Sequence, residues 1–467
     1  MGPWDVMIQI EAQLSPADLT EPIARMWQLS APKILSVEKT CTREHPAPVF
    51  TVDGNYTSRG WTEWTQGFQF GSALLQFDAT GDEQFLKIGR DSTFERMAPH
   101  VTHTGVHDHG FNNVSSYGNL RRLLLEGRIG GDERELAFYE LALKTSGAVQ
   151  AARWTPIHDG DGYIYSFNGP HSLFADTIRS LRVLAMSYSL GHRLMGENDQ
   201  PICLLDRLVR HARATAKYNV YYGWGRDSYD VRGRVAHESI FNTRDGQYRC
   251  ASTQQGYSPF STWTRGLAWI LLGYAEQLEF LATLADESLA PYGGRDTVVE
   301  MMLEAAAACG DFYIESTPSD GIPYWDTGAP GLRNLEDYLE RPADPFNNHE
   351  PVDSSAAAIA AQGLLRLGGY LSQRGNREAG QGYTQAGLRV LQTLLKEPYL
   401  STAAEHQGLL LHGIYHRPNG WDHVPEGAKI PHGESCMWGD YHLREVALYV
   451  GRLIRDEPYY SFFGAKR

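Results

Sequence analysis

The feature that most constrains the fold is a recurring pair of helical segments joined by a short turn. In the copy WTQGFQFGSALLQFDATGDEQFLKIGRDSTFERM, Gly81 can end the first helix and Asp82 can cap the second. Three further copies begin at His171, Trp263 and Asp353. Because apolar residues recur at spacings of three and four, without long alternating stretches, the pattern predicts helices rather than strands.

In each copy the first helix is apolar almost all round, and the second is amphipathic. The first type is expected to be buried, whereas the second exposes one face to solvent. Stacked pairs of this kind are typical of helical repeat proteins, so the sequence predicts one α/α toroid of inner and outer helices. Segments rich in Gly, Trp, Tyr and Asp precede the inner helices. We expect functional groups where these loops gather, at one end of the ring.

The composition argues against several classes of partner. The 467 residues carry a net charge of −14 without a compensating basic run, which argues against nucleic acid. No segment approaches the length of a membrane span, so no membrane contact is expected. The five cysteines form no CxxC pair and fit reduced thiols better than a disulfide framework. No signal peptide is visible, so we expect a cytoplasmic protein, although a periplasmic protein whose leader has been removed fits as well.

Two aspartates are candidate acid–base groups. Asp176 lies in the otherwise apolar segment HSLFADTIRSLRVLAM, where a carboxylate either bonds a helix N-terminus or has a pKa tuned for proton donation. Asp108 lies between two histidines in HDHGF. His103 and His107 have a helical spacing for metal ligands, but Gly105 between them disfavours a helix, and no further ligand motif follows. The sequence therefore predicts no metal and no cofactor.

A second polar group precedes the apolar inner helices. Arg265, in QQGYSPFSTWTRGLAW, requires either an internal carboxylate partner or an anionic ligand, which a guanidinium binds in a bidentate manner. Ser354 and Ser355 begin another inner helix, where they either cap it or donate hydrogen bonds to an anion. The aromatic content of 11% suits either a carbohydrate cleft or a large core.

Taken together and in order, these motifs resemble the unsaturated glucuronyl hydrolases, glycoside hydrolase family 88. The resemblance covers roughly residues 60 to 450 and rests on WTQGF, TGDEQF, HDHGF, HSLFADTIRSL, QQGYSPFSTWTRGLAW, DGIPYWD, DSSAAAIAAQGLL and LLLHGIYH. It implies an all-α (α/α)6 barrel at residues 61–467. Residues 1–60 have no counterpart in the family pattern, and from their sequence we expect an N-terminal helical extension that packs on the barrel. The resemblance also implies a glycosidase whose substrate is an anionic oligosaccharide released by a polysaccharide lyase. The enzyme would remove a Δ4,5-unsaturated uronic acid of the glucuronate type from the non-reducing end.

The resemblance implies roles for residues of this chain. Asp176 would protonate C4 of the C4=C5 vinyl ether and activate the water that adds at C5. Asp108 would bind sugar hydroxyls and raise the pKa of Asp176 by like-charge proximity. Arg265, with His237 and Gln255, would hold the uronate carboxylate. The other residues expected to bind the substrate are Trp64, His107, Trp263, Trp325, Ser354 and Ser355.

Three departures from the family pattern bear on substrate preference. Gln254 stands where a histidine is usual, residues 258–260 replace an acidic stretch, and His109 stands where an apolar residue is typical. Three other functions stay open at this point. An unsaturated rhamnogalacturonyl hydrolase would share the barrel and the chemistry, and a non-catalytic carbohydrate-binding toroid would share only the barrel. A polysaccharide lyase on the same barrel would create the conjugated double bond rather than consume it.

Overall fold

The computed structural model describes Ile8, residues 13–60 and residues 63–463. Helices dominate this part of the chain, as the apolar spacing predicts. In chain order they are α1 (Thr20–Thr40), α2 (Gln66–Thr80), α3 (Glu83–Arg96), α4 (Ala98–Val101), α5 (His109–Asn113), a π-helical turn (Val114–Gly118), α6 (Asn119–Leu125), α7 (Glu133–Ala152), α8 (Thr177–Ser180), α9 (Arg182–Ser189), α10 (Leu204–Tyr218), α11 (Thr264–Leu281), α12 (Gly294–Ser316), α13 (Ser354–Gln373), α14 (Arg377–Leu394) and α15 (Met437–Ile454).

The helices form two concentric layers. Within the described residues, six inner segments follow one another around the ring: α2, α5–α6, α8–α9, α11, α13 and α15. Helix α15 packs against α2, so the ring is closed. The inner helices are buried almost all round, whereas the outer helices α1, α3, α7, α10, α12 and α14 expose one face. This arrangement confirms the (α/α)6 barrel.

The turn chemistry seen in the sequence also forms. Gly81 follows α2 with a φ of 74°, a left-handed conformation that favours glycine. Asp82 caps α3, because its Oδ1 accepts a hydrogen bond from the backbone N–H of Gln84 at 3.0 Å. Within the described residues, no helix combines the length and the apolar character that crossing a bilayer requires.

The N-terminal segment is only partly helical. It contains α1 and a hairpin formed by β1 (Ala47–Val52) and β2 (Asn55–Arg59), while residues 1–7 and 9–12 lie outside the described residues. Helix α1 packs against α2 and α15 and occupies the outer layer. The hairpin is attached to the segment before α15, since the N–H of Thr51 donates to the carbonyl of Ser435 at 2.9 Å. We therefore propose that the barrel begins at α1 rather than at residue 61.

Most of the short antiparallel strands lie at the end of the ring where the inner helices begin, whereas the hairpin of residues 193–203 connects the end of inner helix α9 to the outer helix α10. One three-stranded sheet brings the segments of Ala175 and His237 together. The N–H of Ala175 donates to the carbonyl of His237 at 2.8 Å. Asp176 and His237 therefore lie side by side. The strands are β3 (Trp154–Pro156), β4 (Gly162–Ile164), β5 (Ser172–Phe174), β6 (Arg193–Met195), β7 (Pro201–Cys203), β8 (Glu238–Phe241) and β9 (Tyr248–Ser252), with β5–β8–β9 forming that sheet.

Two glycines allow the inner helices to approach closely at this end. A Cβ atom on Gly67 would lie 2.1 Å from the carbonyl oxygen of Asn112, and one on Gly110 would lie 1.9 Å from that of Ser180. Real Cβ atoms do not come so near to a backbone oxygen, so a side chain at either position would force the helices apart. The helices α2, α5 and α8 can therefore pack closely here because neither glycine has a side chain that would separate them.

The substitution Gly110→Ala is expected to lower the free energy of unfolding by about 3 kcal/mol, because the added methyl group meets backbone that cannot move aside cheaply. Urea denaturation followed by circular dichroism measures the change. Gly130→Ala is the matched control, since a Cβ there meets nothing within 4 Å. Equal stability of the two variants would contradict the close approach.

Candidate active site

A cavity of about 410 Å³ opens at the end of the ring where the inner helices begin. Its deep surface is buried, whereas Phe167 and Trp421 at its mouth are 49% and 42% exposed. The loops that precede α2, α5, α8 and α11 supply most of its walls. The sequence-predicted residues that line it are Trp64, His107, Asp108, Asp176, Gln255, Trp263 and Arg265.

A histidine bridges two carboxylates in the buried part of the cavity. The Nε2 atom of His107 lies 2.9 Å from Oδ2 of Asp176 and 3.8 Å from Oδ1 of Asp108. Asp108 immediately precedes α5 and Asp176 immediately precedes α8, so the close helix contacts fix their separation. Both aspartates are only 8% exposed. Oδ1 of Asp176 has no hydrogen-bond partner among the described residues, which leaves it available to a ligand.

The pKa values of the three groups are shifted in different directions. Burial raises the pKa of Asp108 above its ordinary value. Burial acts on Asp176 in the same direction, but the charge and hydrogen bond of His107 outweigh it and hold the pKa of Asp176 below its ordinary value. Burial lowers the pKa of His107, yet the two carboxylates raise it by more. This corrects the expectation that Asp108 raises the pKa of Asp176, because the sequence does not show that His107 lies between them.

The sequence raises a metal site only for the histidines around Asp108, and the structure adds Asp176 to His107 and Asp108 as a third possible ligand. Each offers one ligand atom, and the three atoms lie within 4.8 Å of one another. The 2.9 Å contact between Nε2 of His107 and Oδ2 of Asp176 is a hydrogen-bond distance, so these two atoms have each other as partners. The expectation that no metal and no cofactor take part stays a prediction.

His237 lies behind the cavity wall. Its Nδ1 atom accepts hydrogen bonds from the backbone N–H groups of Gln254 at 3.0 Å and Gln255 at 3.3 Å. Its Nε2 atom faces Oδ1 of Asp176 at 3.9 Å. Burial lowers the pKa of His237 to about 4, so the imidazole is neutral near pH 7. His237 does not line the cavity but bonds the backbone of Gln254 and Gln255, which do, and the expectation that it helps to hold the uronate carboxylate stays a prediction.

Arg265 has an internal carboxylate partner, which decides between the two alternatives that the sequence leaves open. Its guanidinium donates to Asp353 at 2.7 Å, to Oε1 of Gln255 at 3.0 Å and to the carbonyl of Tyr415 at 2.6 Å. It also lies over the ring of Trp263, 4.6 Å from the centroid. The charge of Arg265 is thus balanced in the buried wall before any ligand enters, and Gln255 is held with its amide NH₂ group as the remaining donor.

The structure does not bring Trp325, Ser354 or Ser355 to the cavity, so the expectation that they bind substrate is corrected. The indole N–H of Trp325 donates to Glu350 at 2.8 Å. The hydroxyl of Ser354 donates to a backbone carbonyl at 2.6 Å, and that of Ser355 donates to Asp353 at 2.5 Å. The capping function is performed by Asp353 instead, whose carboxylate accepts from the first backbone N–H groups of α13.

His109 points away from the cavity, although the sequence suggested that it could influence specificity. Its Nδ1 atom lies 2.8 Å from the hydroxyl of Ser146, and its Nε2 atom lies 2.9 Å from the carbonyl oxygen of His103. Both ring nitrogens are therefore engaged in packing α5 against its neighbours. Of the three departures from the family pattern, Gln254 does line the cavity.

Sequence reasoning missed a set of cavity residues. Tyr415 and His416 lie in the motif LLLHGIYH, and Trp421 follows in the glycine-containing stretch RPNGWD. An aromatic run in a long loop after α14 was a usable signal, because function concentrates in such loops. The missed lining residues are Gly60, Glu63, Val106, Phe111, Phe167, Phe174, Trp269, Tyr415, His416 and Trp421.

Comparison with known proteins gives consistent relatives at low identity. No protein-family model matches the chain. An unsaturated glucuronyl hydrolase of Formosa agariphila is 25% identical over 387 residues, which cover 82% of this chain and 79% of that protein. The unsaturated glucuronyl hydrolase of Bacillus sp. strain GL1 is 25% identical over 398 residues, covering 84% and 87%. An unsaturated chondroitin disaccharide hydrolase of Streptococcus agalactiae is 23% identical over 419 residues, covering 87% and 85%.

Solved structures share the whole architecture. An unsaturated glucuronyl hydrolase specific for heparin superposes with a TM-score of 0.70 at 21% identity, covering 95% of this chain and all of that one. The unsaturated glucuronyl hydrolase of Streptococcus agalactiae superposes with a TM-score of 0.69 at 20% identity, covering 98% and 99%. At these identities the superpositions establish the fold, and the barrel of this chain is the barrel of those enzymes.

Proposed function

Because the chain belongs to the unsaturated glucuronyl hydrolases of glycoside hydrolase family 88, we propose that it removes a Δ4,5-unsaturated glucuronate from the non-reducing end of lyase-generated oligosaccharides. The observation that carries the proposal is the cluster of His107, Asp108 and Asp176 in the buried part of an aromatic-lined cavity. A cavity closed at its inner end suits an enzyme that accepts the terminal sugar and leaves the rest of the chain at the mouth.

Asp176 carries the proton transfer. Its carboxyl group protonates C4 of the vinyl ether, and positive charge develops at C5 and the ring oxygen. Water adds at C5 and gives its proton to the Asp176 carboxylate, which returns the residue to its starting state. The product is a hemiketal at C5, whose opening breaks the bond between C5 and the ring oxygen and leaves a hemiacetal at C1. Breakdown of that hemiacetal releases the remaining oligosaccharide. One carboxyl group thus acts first as acid and then as base, and the carboxylate separation that sorts ordinary glycosidases does not apply.

His107 and Asp108 prepare this step. His107 hydrogen-bonds Oδ2 of Asp176 at 2.9 Å and so orients the carboxyl group that moves the proton. Asp108 has the raised pKa and lines the same cavity, where it hydrogen-bonds the ring hydroxyls of the terminal sugar.

The uronate carboxylate is proposed to lie against Gln255. Oε1 of Gln255 accepts from Arg265, so its NH₂ group is the donor that remains for an anion. Arg265 lies behind Gln255, so its positive charge acts on the uronate across the Gln255 side chain. The same guanidinium fixes the orientation of the Gln255 amide. Trp64 and Trp263 line the same cavity and offer aromatic faces for stacking.

A screen of lyase products tests the proposal. The unsaturated products of chondroitin, hyaluronan, heparin, gellan, ulvan and pectin are supplied in turn, and loss of the ultraviolet absorbance of the conjugated uronate is followed. We expect loss with glucuronate-type products. Activity confined to pectin products would point to a rhamnogalacturonyl hydrolase, and a rise in absorbance on intact polysaccharide would point to a lyase. Binding without turnover across the panel would point to a non-catalytic toroid.

The substitution His107→Gln is expected to move the pH dependence of kcat/KM to higher pH. The proton donor must be protonated, so activity is present below the pKa of Asp176 and is lost as the pH rises through it. His107 holds that pKa below its ordinary value. A neutral glutamine removes this stabilisation of the carboxylate, so the pKa rises and the falling limb shifts with it.

The pH profile of kcat/KM is recorded for the wild type, His107→Gln and the surface control His192→Gln. In the control, the fall of kcat/KM at high pH is expected at the same pH as in the wild type, because His192 lies outside the cavity. A limb that stays fixed or moves to lower pH in His107→Gln would mean that Asp176 is not the group being titrated.

A further inference from the structure

A second cluster of possible metal ligands lies apart from the cavity. Asp53, His423 and Glu434 each offer one ligand atom, and these atoms lie within 4.8 Å of one another. The Nε2 atom of His423 is 3.2 Å from Oδ1 of Asp53. Among the described residues, this cluster and the one around Asp176 are the two places where three such groups converge. None of its members lines the cavity.

The hairpin of β1 and β2 carries Asp53 and bonds Glu434 through Thr51. Asp53 and Gly54 form the two-residue turn between β1 and β2, with φ angles of 47° and 76° as a type I′ turn requires. The hydroxyl of Thr51, two residues before Asp53, donates a hydrogen bond to Oε2 of Glu434. The turn therefore places Asp53 beside Glu434, whose carboxylate is held by Thr51.

The third ligand is oriented but unsatisfied. The Nε2 atom of His423 is buried and has no hydrogen-bond partner among the described residues, although it faces the Asp53 carboxylate. On the other side of the cluster, Nδ1 of His406 accepts from the N–H of Gly408, so its proton is on Nε2, 3.7 Å from Glu434.

We propose that Asp53, His423 and Glu434 bind a divalent transition-metal ion of the Zn²⁺ class, with water completing the coordination shell. One imidazole among the ligands favours such ions over Ca²⁺ and Mg²⁺, which prefer oxygen ligands alone. Ligand atoms about 2.0–2.2 Å from one ion are roughly 3 to 4.4 Å apart, so small side-chain rotations bring the three atoms into range. His406 acts as the outer group that orients Glu434.

The ion would fix the loop at the cavity mouth. His423 follows Trp421, which lines the mouth, and Asp422, which accepts a hydrogen bond from the N–H of His416 at 3.0 Å. A bond between His423 and the hairpin would therefore restrain the segment that carries these wall residues. The role is positioning, at a distance from the proton transfer.

Isothermal titration of the full chain, first treated with EDTA and dialysed, tests the site with Zn²⁺, and Ca²⁺ serves as the comparison ion. We expect one Zn²⁺ to bind at this site and Ca²⁺ to bind far more weakly. Thermal unfolding in the presence of Zn²⁺ is expected at a higher Tm, because an ion that binds only the folded state stabilises it.

Two variants connect the binding to these residues. Asp53→Asn and His423→Gln are each expected to weaken Zn²⁺ binding more than about 100-fold, since even outer groups cost 10–100-fold. Asp53 is the safer change for folding, because its side chain is 83% exposed and asparagine tolerates the positive φ. His432→Gln, in the same loop, is the control and keeps full affinity. Absence of Zn²⁺ binding, or equal binding in all three variants, would overturn the proposal.

Discussion

The substitution Asp176→Asn is expected to lower kcat by about 10²–10⁴-fold, the range that a positioned general acid or base contributes. Asparagine is nearly isosteric and can still accept the hydrogen bond from His107, so the cavity keeps its shape. It cannot give a proton to C4 or take one from water. Both halves of the reaction are therefore blocked by one change. The measurement is the loss of uronate absorbance under saturating substrate.

Asp108→Asn is the matched comparison, because both aspartates are equally buried and precede inner helices. We expect Asp108→Asn to raise KM more than it lowers kcat, since it removes an acceptor for sugar hydroxyls. Circular dichroism and Tm of both variants exclude loss of the fold. If Asp176→Asn retained kcat while Asp108→Asn lost it, the raised pKa of Asp108 would identify that residue as the proton donor.

The second large effect is expected on stability, from Glu445→Gln in α15. Glu445 lies in the centre of the barrel with no exposed side-chain surface, 3.1 Å from Arg179 and 3.6 Å from Arg182. Arg179 keeps Glu276 at 2.9 Å, but Arg182 loses its carboxylate partner, and removing one charge from a buried ionic cluster typically costs about 3–5 kcal/mol. Glutamine keeps the volume, so the loss reports on charge rather than on a cavity. Urea denaturation measures the fall in the unfolding midpoint.

Glu95→Gln is the control for this change, because the Arg43–Glu95 pair at 3.4 Å is exposed on the surface. Its effect is expected to be below about 1 kcal/mol. An equal effect of the two substitutions would contradict a structural role for the central cluster.

The contribution of Glu445 to the free energy of unfolding also depends on pH, with a defined sign. Arg179 and Arg182 overcome the burial of Glu445 and lower its pKa to about 2, so its contribution is present above the ordinary pKa and is lost as the pH falls towards 2.

Local chemistry made much of the fold predictable. Helix spacing, the glycine after α2 and the aspartate before α3 act within a few residues, so the hairpins can be identified without knowing the rest of the chain. Closure of the ring depends on contact between α2 and α15, at opposite ends of the chain. Periodicity contains no information about such a contact, and only the resemblance to a known barrel implied it.

In the candidate site, too, the features set by local sequence were predictable and those set by contacts between distant segments were not. Asp108 and Asp176 are identifiable as polar residues at the starts of apolar helices, but they are joined by His107 across 69 residues. The partner of Arg265 is Asp353, 88 residues away, and no local rule distinguishes that pairing from a waiting anion site. Ser354 and Ser355 mislead for the opposite reason, since a serine at a helix start has the same sequence context whether it meets a ligand or the chain itself.

The contact between α15 and α2 means that the repeat array has no first and no last member. An open stack of helical pairs can gain or lose a unit at its ends, and it needs specialised terminal units to cover the exposed faces. A closed ring permits neither, because removing one pair would leave the two inner helices on either side of the gap without a neighbour. Variation in such a molecule is confined to the connections between helices. A circularly permuted chain, opened at an exposed turn between outer and inner helices, should accordingly retain the same cavity.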